Sequence, residues 1–181
     1  MQPTRVLTAE HRRIEQALVV LSAIVAQLRR GPPPAAVDVE TLLGFLRVYA
    51  DVYHHQLEER MLTEALSQVG LPERSGPVAA MLAQHLEARC LIDLAGVALV
   101  RLAAEPGVAA ELADVLQSYQ RLLVHHIRYE EQVLYPFAER LLPSLAAGLL
   151  SEAFARRDEQ HAVEVESQLA KLAALRRRYV E

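Results

Sequence analysis

Tyr53-His54-His55-Gln56-Leu57-Glu58-Glu59 and His125-His126-Ile127-Arg128-Tyr129-Glu130-Glu131 are the two stretches whose reading decides the fold of this chain. Superimposed on their Glu-Glu pairs, they set His54 on His126 and Glu58 on Glu130, with each histidine four residues ahead of its carboxylate. Four residues of α-helix advance about 400°, so such a His and Glu lie within about 40° of each other on one face and can grip one ion. Imidazole nitrogen with carboxylate oxygen suits iron, manganese or zinc. A single pair at this spacing is ordinarily a solvated helix face. Two pairs, each doubled as His-His and Glu-Glu and each inside an apolar helix, point to a site.

The surrounding residues say which member of each doublet faces inward. With His54 at zero, Leu43, Leu46, Ala50, Leu57 and Met61 cluster between about 280° and 340°. His54 and Glu58 border that cluster, whereas His55 and Glu59 point farther out and are placed at the periphery, solvated or supporting the site. In the later stretch, Leu112, Leu116, Tyr119, Leu123, Leu134, Phe137 and Leu141 centre on the face that carries His126 and Glu130. His125 and Glu131 fall outside it.

Apolar spacing and breakers then divide the chain into helices. The first covers 4–30, with Thr4 or Thr8 as its cap, a stripe of Leu7, Ile14, Leu18, Leu21, Val25 and Leu28, and His11 at the margin of that stripe. Gly31-Pro32-Pro33-Pro34 ends it. The second runs from about Asp38, read as its cap, to Leu66. After a loop marked by Gly70, Pro72, Ser75, Gly76 and Pro77, the third covers 77–104 with Val78, Met81, Leu82, Ile92, Leu99 and Ala103 inward. His85 lies in the middle of this stripe. Arg89 follows one turn later, and an arginine on a buried face requires a partner such as Glu58 or Glu130. Glu105-Pro106-Gly107 is a tight connection, the fourth helix covers 108–142 with a bend at Pro136, and residues 144–179 form one or two further helices in which His161 has no assigned role.

The totals bound the function. At 181 residues, 52% hydrophobic, the chain is long enough for one domain with a substantial core, and a net charge of −4 gives no reason to expect nucleic acid. Arg, Glu, Gln or His interrupt the apolar residues throughout, leaving no run of the ~20 needed to span a bilayer, and no signal pattern opens the chain, so the reading is a soluble, cytoplasmic protein without a membrane partner. Cys90 is the single cysteine, which excludes an internal disulfide and any cysteine-based metal cage.

Four long amphipathic helices with short connections imply an all-α, up-down-up-down four-helix bundle over 1–143, with 144–181 as a C-terminal helical extension packed on or continuing it. Packed so, His11, His54, Glu58, His85, His126 and Glu130 converge on one interior, a ligand count for two metals.

With those residues in place, the chain resembles a hemerythrin-like protein of the HHE cation-binding family. The resemblance spans about Val6 to Leu142 and rests on Glu10-His11, on His54-His55 through Glu58-Glu59, on Gln84-His85 and on His126-Ile127 through Glu130-Glu131. It implies two iron ions in a non-haem centre, oxo- or hydroxo-bridged, held by histidines and two bridging carboxylates, with a small diatomic ligand or peroxide as partner. Oxygen carriers of the family place a second histidine where this chain has Arg89, and their fourth-helix carboxylate stands one residue later, at Glu131. His55, His125, His161 or water would then complete the coordination. Ferritin-like proteins use Glu-x-x-His, the reverse order at another spacing. The functions carried forward are a di-iron protein that binds oxygen, peroxide or nitric oxide, or that senses or stores iron; an iron-dependent, catalase-like enzyme; and a helical interaction module without such a centre. A homodimer is compatible with each.

Overall fold

The computed structural model describes every residue except Met1, Ala103 and Pro106. The expectations for Ala103 and Pro106 therefore lie outside the described residues. Among the described residues five helices follow in order: α1 (Pro3–Arg30), α2 (36–68), α3 (Gly76–Arg101), α4 (108–141) and α5 (Ser144–Tyr179). Among the described residues there is no strand, and no helix is long and apolar enough to cross a membrane. α1 packs on α2 and α4, and α3 packs on α2 and α4, so these four close a ring; α5 lies along α1 and α2.

Two of the helices are not α-helical throughout. α2 consists of α-helical Ala36–Phe45, π-helical Leu46–His55 and Glu58–Leu62, and α-helical Thr63–Gln68. α4 passes from Val108–Tyr129 through a π-helical turn, Glu130–Leu134, into Tyr135–Leu141. The wider π turn absorbs an extra residue, so the face rotates by about one position. Phe137 and Leu141, expected inward, are accordingly exposed, while Tyr135 and Ala138 are buried; on α2, Leu62 rather than Met61 takes the core position. The wide turn of α4 directly precedes Pro136, where a backbone N–H is missing.

The ends differ from expectation in informative ways. Neither Thr4 nor Thr8 caps α1, which starts at Pro3 with no side-chain cap; Thr4 is buried and donates to Glu139. Asp38 lies inside the first turn of α2, where it accepts from Arg178 and from the Tyr179 hydroxyl at 2.8 Å, fastening the far end of α5. α2 ends in a Schellman motif, with Leu71 N–H to Leu66 O and Gly70 N–H to Ser67 O both at 3.0 Å. Gly70 sits there at φ 88°, a conformation that disfavours any side chain.

The core falls into two apolar clusters with a polar layer between them. On α1, Leu7 belongs to one cluster and Ile14 to the other, with His11 between; on α3 the sequence is Met81, His85, Ala88. On α4 it is Ile127, Glu130, Leu134. α5 contributes Leu150 and Phe154 to one cluster and Leu172 and Leu175 to the other, so it spans the layer from outside.

Phe154 is fully buried against the cluster that holds Leu7 and Leu62. Phe154→Ala should lower the unfolding free energy of the metal-free protein by about 3–5 kcal/mol, measured by denaturant titration. A loss below about 1 kcal/mol would mean that α5 adds little to the core.

Candidate metal centre

Seven side chains from four helices meet in the polar layer: His11 from α1, His54, His55 and Glu58 from α2, His85 from α3, and His126 and Glu130 from α4. All are buried, none more than 1% exposed. Their donor atoms form overlapping groups, each within 4.8 Å: His11, His54, Glu58 and Glu130; Glu58, His85, His126 and Glu130; and His55, His85 and His126. Glu58 and Glu130 are shared between the first two, so these groups adjoin and have a pair of carboxylates in common.

The spacing inside each group is that of ligands around an ion. With metal–ligand bonds of about 2.0–2.2 Å, neighbouring donors around one ion stand about 3.0–3.5 Å apart. Here His11 Nε2 is 3.1 Å from Glu130 Oε2, His126 Nε2 3.3 Å from Glu130 Oε1, His85 Nε2 3.5 Å from Glu58 Oε2 and His54 Nε2 3.6 Å from Glu58 Oε2. His54 Nε2, both nitrogens of His55, Glu58 Oε2 and Glu130 Oε1 are buried without a hydrogen-bond partner. Each such group would cost about 1–3 kcal/mol if nothing satisfied it. A cation in the layer satisfies the inward-facing atoms among them, with His55 Nδ1 left to Asp51 outside, so the residues present fit a metal.

The outer ring nitrogens fix which face each imidazole turns inward. His54 Nδ1 donates to Glu10 Oε2 at 2.7 Å, His85 Nδ1 to Glu59 Oε1 at 2.8 Å, His126 Nδ1 to Gln84 Oε1 at 2.9 Å and His11 Nδ1 to Glu131 Oε1 at 3.0 Å. Asp51 Oδ1 lies 3.6 Å from His55 Nδ1. Carboxylate and amide oxygens only accept, so each of these Nδ1 atoms carries a proton and Nε2 is turned to the layer, able to bind a cation once unprotonated. His85 Nε2 and His126 Nε2 oppose each other at 3.3 Å, an arrangement that a proton on one of them or a metal cation between them stabilises. The Tyr135 hydroxyl donates to Glu58 Oε1 at 2.7 Å and lies 3.2 Å from His11 Nε2.

The electrostatics also favour positive charge here. Burial pushes His11 and His85 down, yet the carboxylates of Glu130 and Glu58 outweigh it and raise both. Burial and the neighbouring His85 hold His55 down to about 3, and His126 is likewise lowered by burial and by His55. Burial alone would raise Glu58, but His54 and His85 bring it well below the usual carboxylate range. Burial, with Glu130 and Glu58 adding to it, raises Tyr135 and keeps its proton in place.

Several sequence expectations are corrected. His55 was placed outward on a 100° step, but it ends the π-helical segment Leu46–His55, where each residue turns less, and both His54 and His55 face in. Its ring stacks on His85 at 4.0 Å. Arg89 pairs with neither Glu58 nor Glu130; it donates to Asp51 at 2.8 Å and to Glu59 at 2.7 Å on the rim. Glu59 and Glu131 support histidines from outside, and Glu130 is the carboxylate within. His125 and His161 are exposed, outside the donor groups. Sequence reasoning gave no role to Asp51, Tyr135 or Arg157, and used Glu10 and Gln84 only as part of the family resemblance. Asp51 carried a signal, four residues before His55; Tyr135 is hidden by the register shift in α4.

Residues 2–138 match the family described as Hemerythrin HHE cation binding domain. No curated protein and no solved structure matches the chain. The match covers well over half of the sequence and contains all seven residues of the layer, so this chain belongs to the hemerythrin HHE cation-binding family.

Proposed function

We propose that the protein is a non-haem di-iron protein that binds a small diatomic molecule or peroxide. The observation that carries this reading is the pair of adjoining donor groups sharing Glu58 and Glu130. Mixed imidazole and carboxylate donors suit iron, and iron held there would supply ligand binding and redox chemistry. His11 and His54 serve one position; His55, His85 and His126 serve the other. In this reading His55 takes the place of the histidine that Arg89 replaces.

The chain's own groups shape what reaches the centre. A cavity of about 280 Å³ ends on His55 and is walled largely by Leu46, Val52, Ala88, Ile92 and Tyr119, with Asp51 and Arg89 at its side. Its apolar walls favour small, weakly hydrated molecules over large or highly charged ones. On the opposite side, the side with fewer nitrogens, the Tyr135 hydroxyl oxygen lies 2.7 Å from a shared carboxylate oxygen and keeps its proton. That proton is also the observation favouring a peroxide-degrading enzyme as the second reading, since oxygen–oxygen cleavage consumes protons.

Anaerobic ferrous loading followed by elemental analysis should give about two iron atoms per chain, little or none in Glu58→Ala or Glu130→Ala, and about one in His55→Ala. Absence of iron from the unaltered protein, or unchanged iron in His55→Ala, would overturn the assignment.

The cavity yields a separate expectation. Val52 is half exposed at its wall, and Val52→Phe should slow azide association with the oxidised protein several-fold while leaving iron content unchanged. Unaltered azide kinetics would show that small ligands arrive by another route. Peroxide turnover is read in the same preparations, and its loss in Tyr135→Phe with iron retained would favour the enzymatic reading.

A further inference from the structure

Beyond the segment that matches the family, α5 sends one side chain back to the polar layer. Arg157 lies 19 residues past the end of the match at 138, between the two apolar patches with which α5 grips the bundle. Its Nη1 donates to Glu10 Oε1 at 2.9 Å, and the other oxygen of Glu10 accepts from His54 Nδ1 at 2.7 Å. The guanidinium is itself held: Arg157 Cζ stands 3.3 Å above the Tyr53 ring, Nη1 also reaches Asp158 at 2.9 Å, and Asp158 accepts from the Tyr53 hydroxyl at 2.8 Å.

Among the described residues, chains in which an arginine donates to a carboxylate that accepts from a histidine of the layer at 3.0 Å or less occur three times, and burial separates them. Arg12 and Glu131 have side-chain exposures of 51% and 25%, and Arg89 and Glu59 of 32% and 23%, against 13% and 7% for Arg157 and Glu10. Water and salt screen the first two pairs, whereas the third acts on His54 through protein alone.

We propose that Arg157 is a positioning residue through which the C-terminal helix tunes the metal position served by His11 and His54. This rests on the di-iron reading above. Glu10 draws the Nδ1 proton of His54 and so makes its Nε2 a stronger donor; Arg157 fixes the carboxylate in that geometry and takes up part of its charge. The guanidinium thereby limits how far Glu10 strengthens His54, and its own positive charge opposes oxidation of the metal.

The sign of this effect is testable. In the iron-loaded 181-residue chain, Arg157→Gln leaves Glu10 uncompensated and should shift the reduction potential to more negative values. Glu10→Gln removes the push and should shift it to more positive values. Opposite shifts from two partners of one hydrogen-bonded pair do not arise from general loosening, which would move both the same way. Arg157→Lys keeps the charge and should stay close to the unaltered protein; Arg156→Gln, changed at an exposed neighbour, should leave the potential where it is. Release of iron to a chelator, followed in parallel, should quicken about tenfold or more in Glu10→Gln. If the unaltered protein takes up no iron, the di-iron reading fails. If it takes up iron and Arg157→Gln behaves as Arg156→Gln does, or shifts in the same direction as Glu10→Gln, the role given to α5 is overturned. Should Arg157→Gln fail to fold, Arg157→Met, which keeps the stem of the side chain without its charge, should shift the potential to more negative values, and an unmoved or positive shift ends the inference.

Discussion

Charge buried in an apolar bundle must be compensated, and that requirement organises the rest of the structure. Five imidazoles and two carboxylates occupy one level of the core, where an uncompensated ion is expensive. The protein meets this demand in layers. Lone pairs converge on the interior, the opposite ring nitrogens are tied to Glu10, Glu59, Gln84 and Glu131, and arginines balance three of those four acceptors from outside. Apolar clusters above and below exclude water and keep the interactions inside the layer in a low dielectric. The bundle and the site are thus one construction, because the helices that carry the ligands also carry the walls.

The outline was legible in the sequence because most of α1 and α3 follows the ideal helical step. Leu7, Ile14, Leu18, Leu21, Val25 and Leu28 are buried as their spacing required, and His11 and His85 point to the interior with them. Legibility ends where the step changes. From Leu46 onward α2 turns more slowly, so angles counted at 100° per residue placed His55 outside and Met61 inside. The same arithmetic placed Phe137 and Leu141 in the core past the wide turn of α4. A one-dimensional period carries no record of a local change in pitch. It also cannot show contacts between distant segments, which is why Arg157, 147 residues from Glu10, was invisible.

Arg89 shows the difference between a side chain's direction and its destination. It leaves α3 on the same face as His85, but its length carries the guanidinium past the layer to Asp51 and Glu59. There it supports the acceptors of two neighbouring histidines, His55 and His85, at once. A residue that looks like a lost ligand in the family comparison therefore acts one shell further out, while a histidine from the adjacent helix stands in the layer.

The π-helical stretch of α2 sets stability against function. Deleting a single residue between Leu46 and His55 would let that segment relax into a regular α-helix with stronger backbone hydrogen bonds. The same deletion would swing one of the two adjacent histidines out of the interior and turn the residues beyond it onto a different face. Selection for a more stable bundle and selection for a complete ligand set therefore pull this helix towards different lengths, and the length it has is the one that keeps both histidines inside.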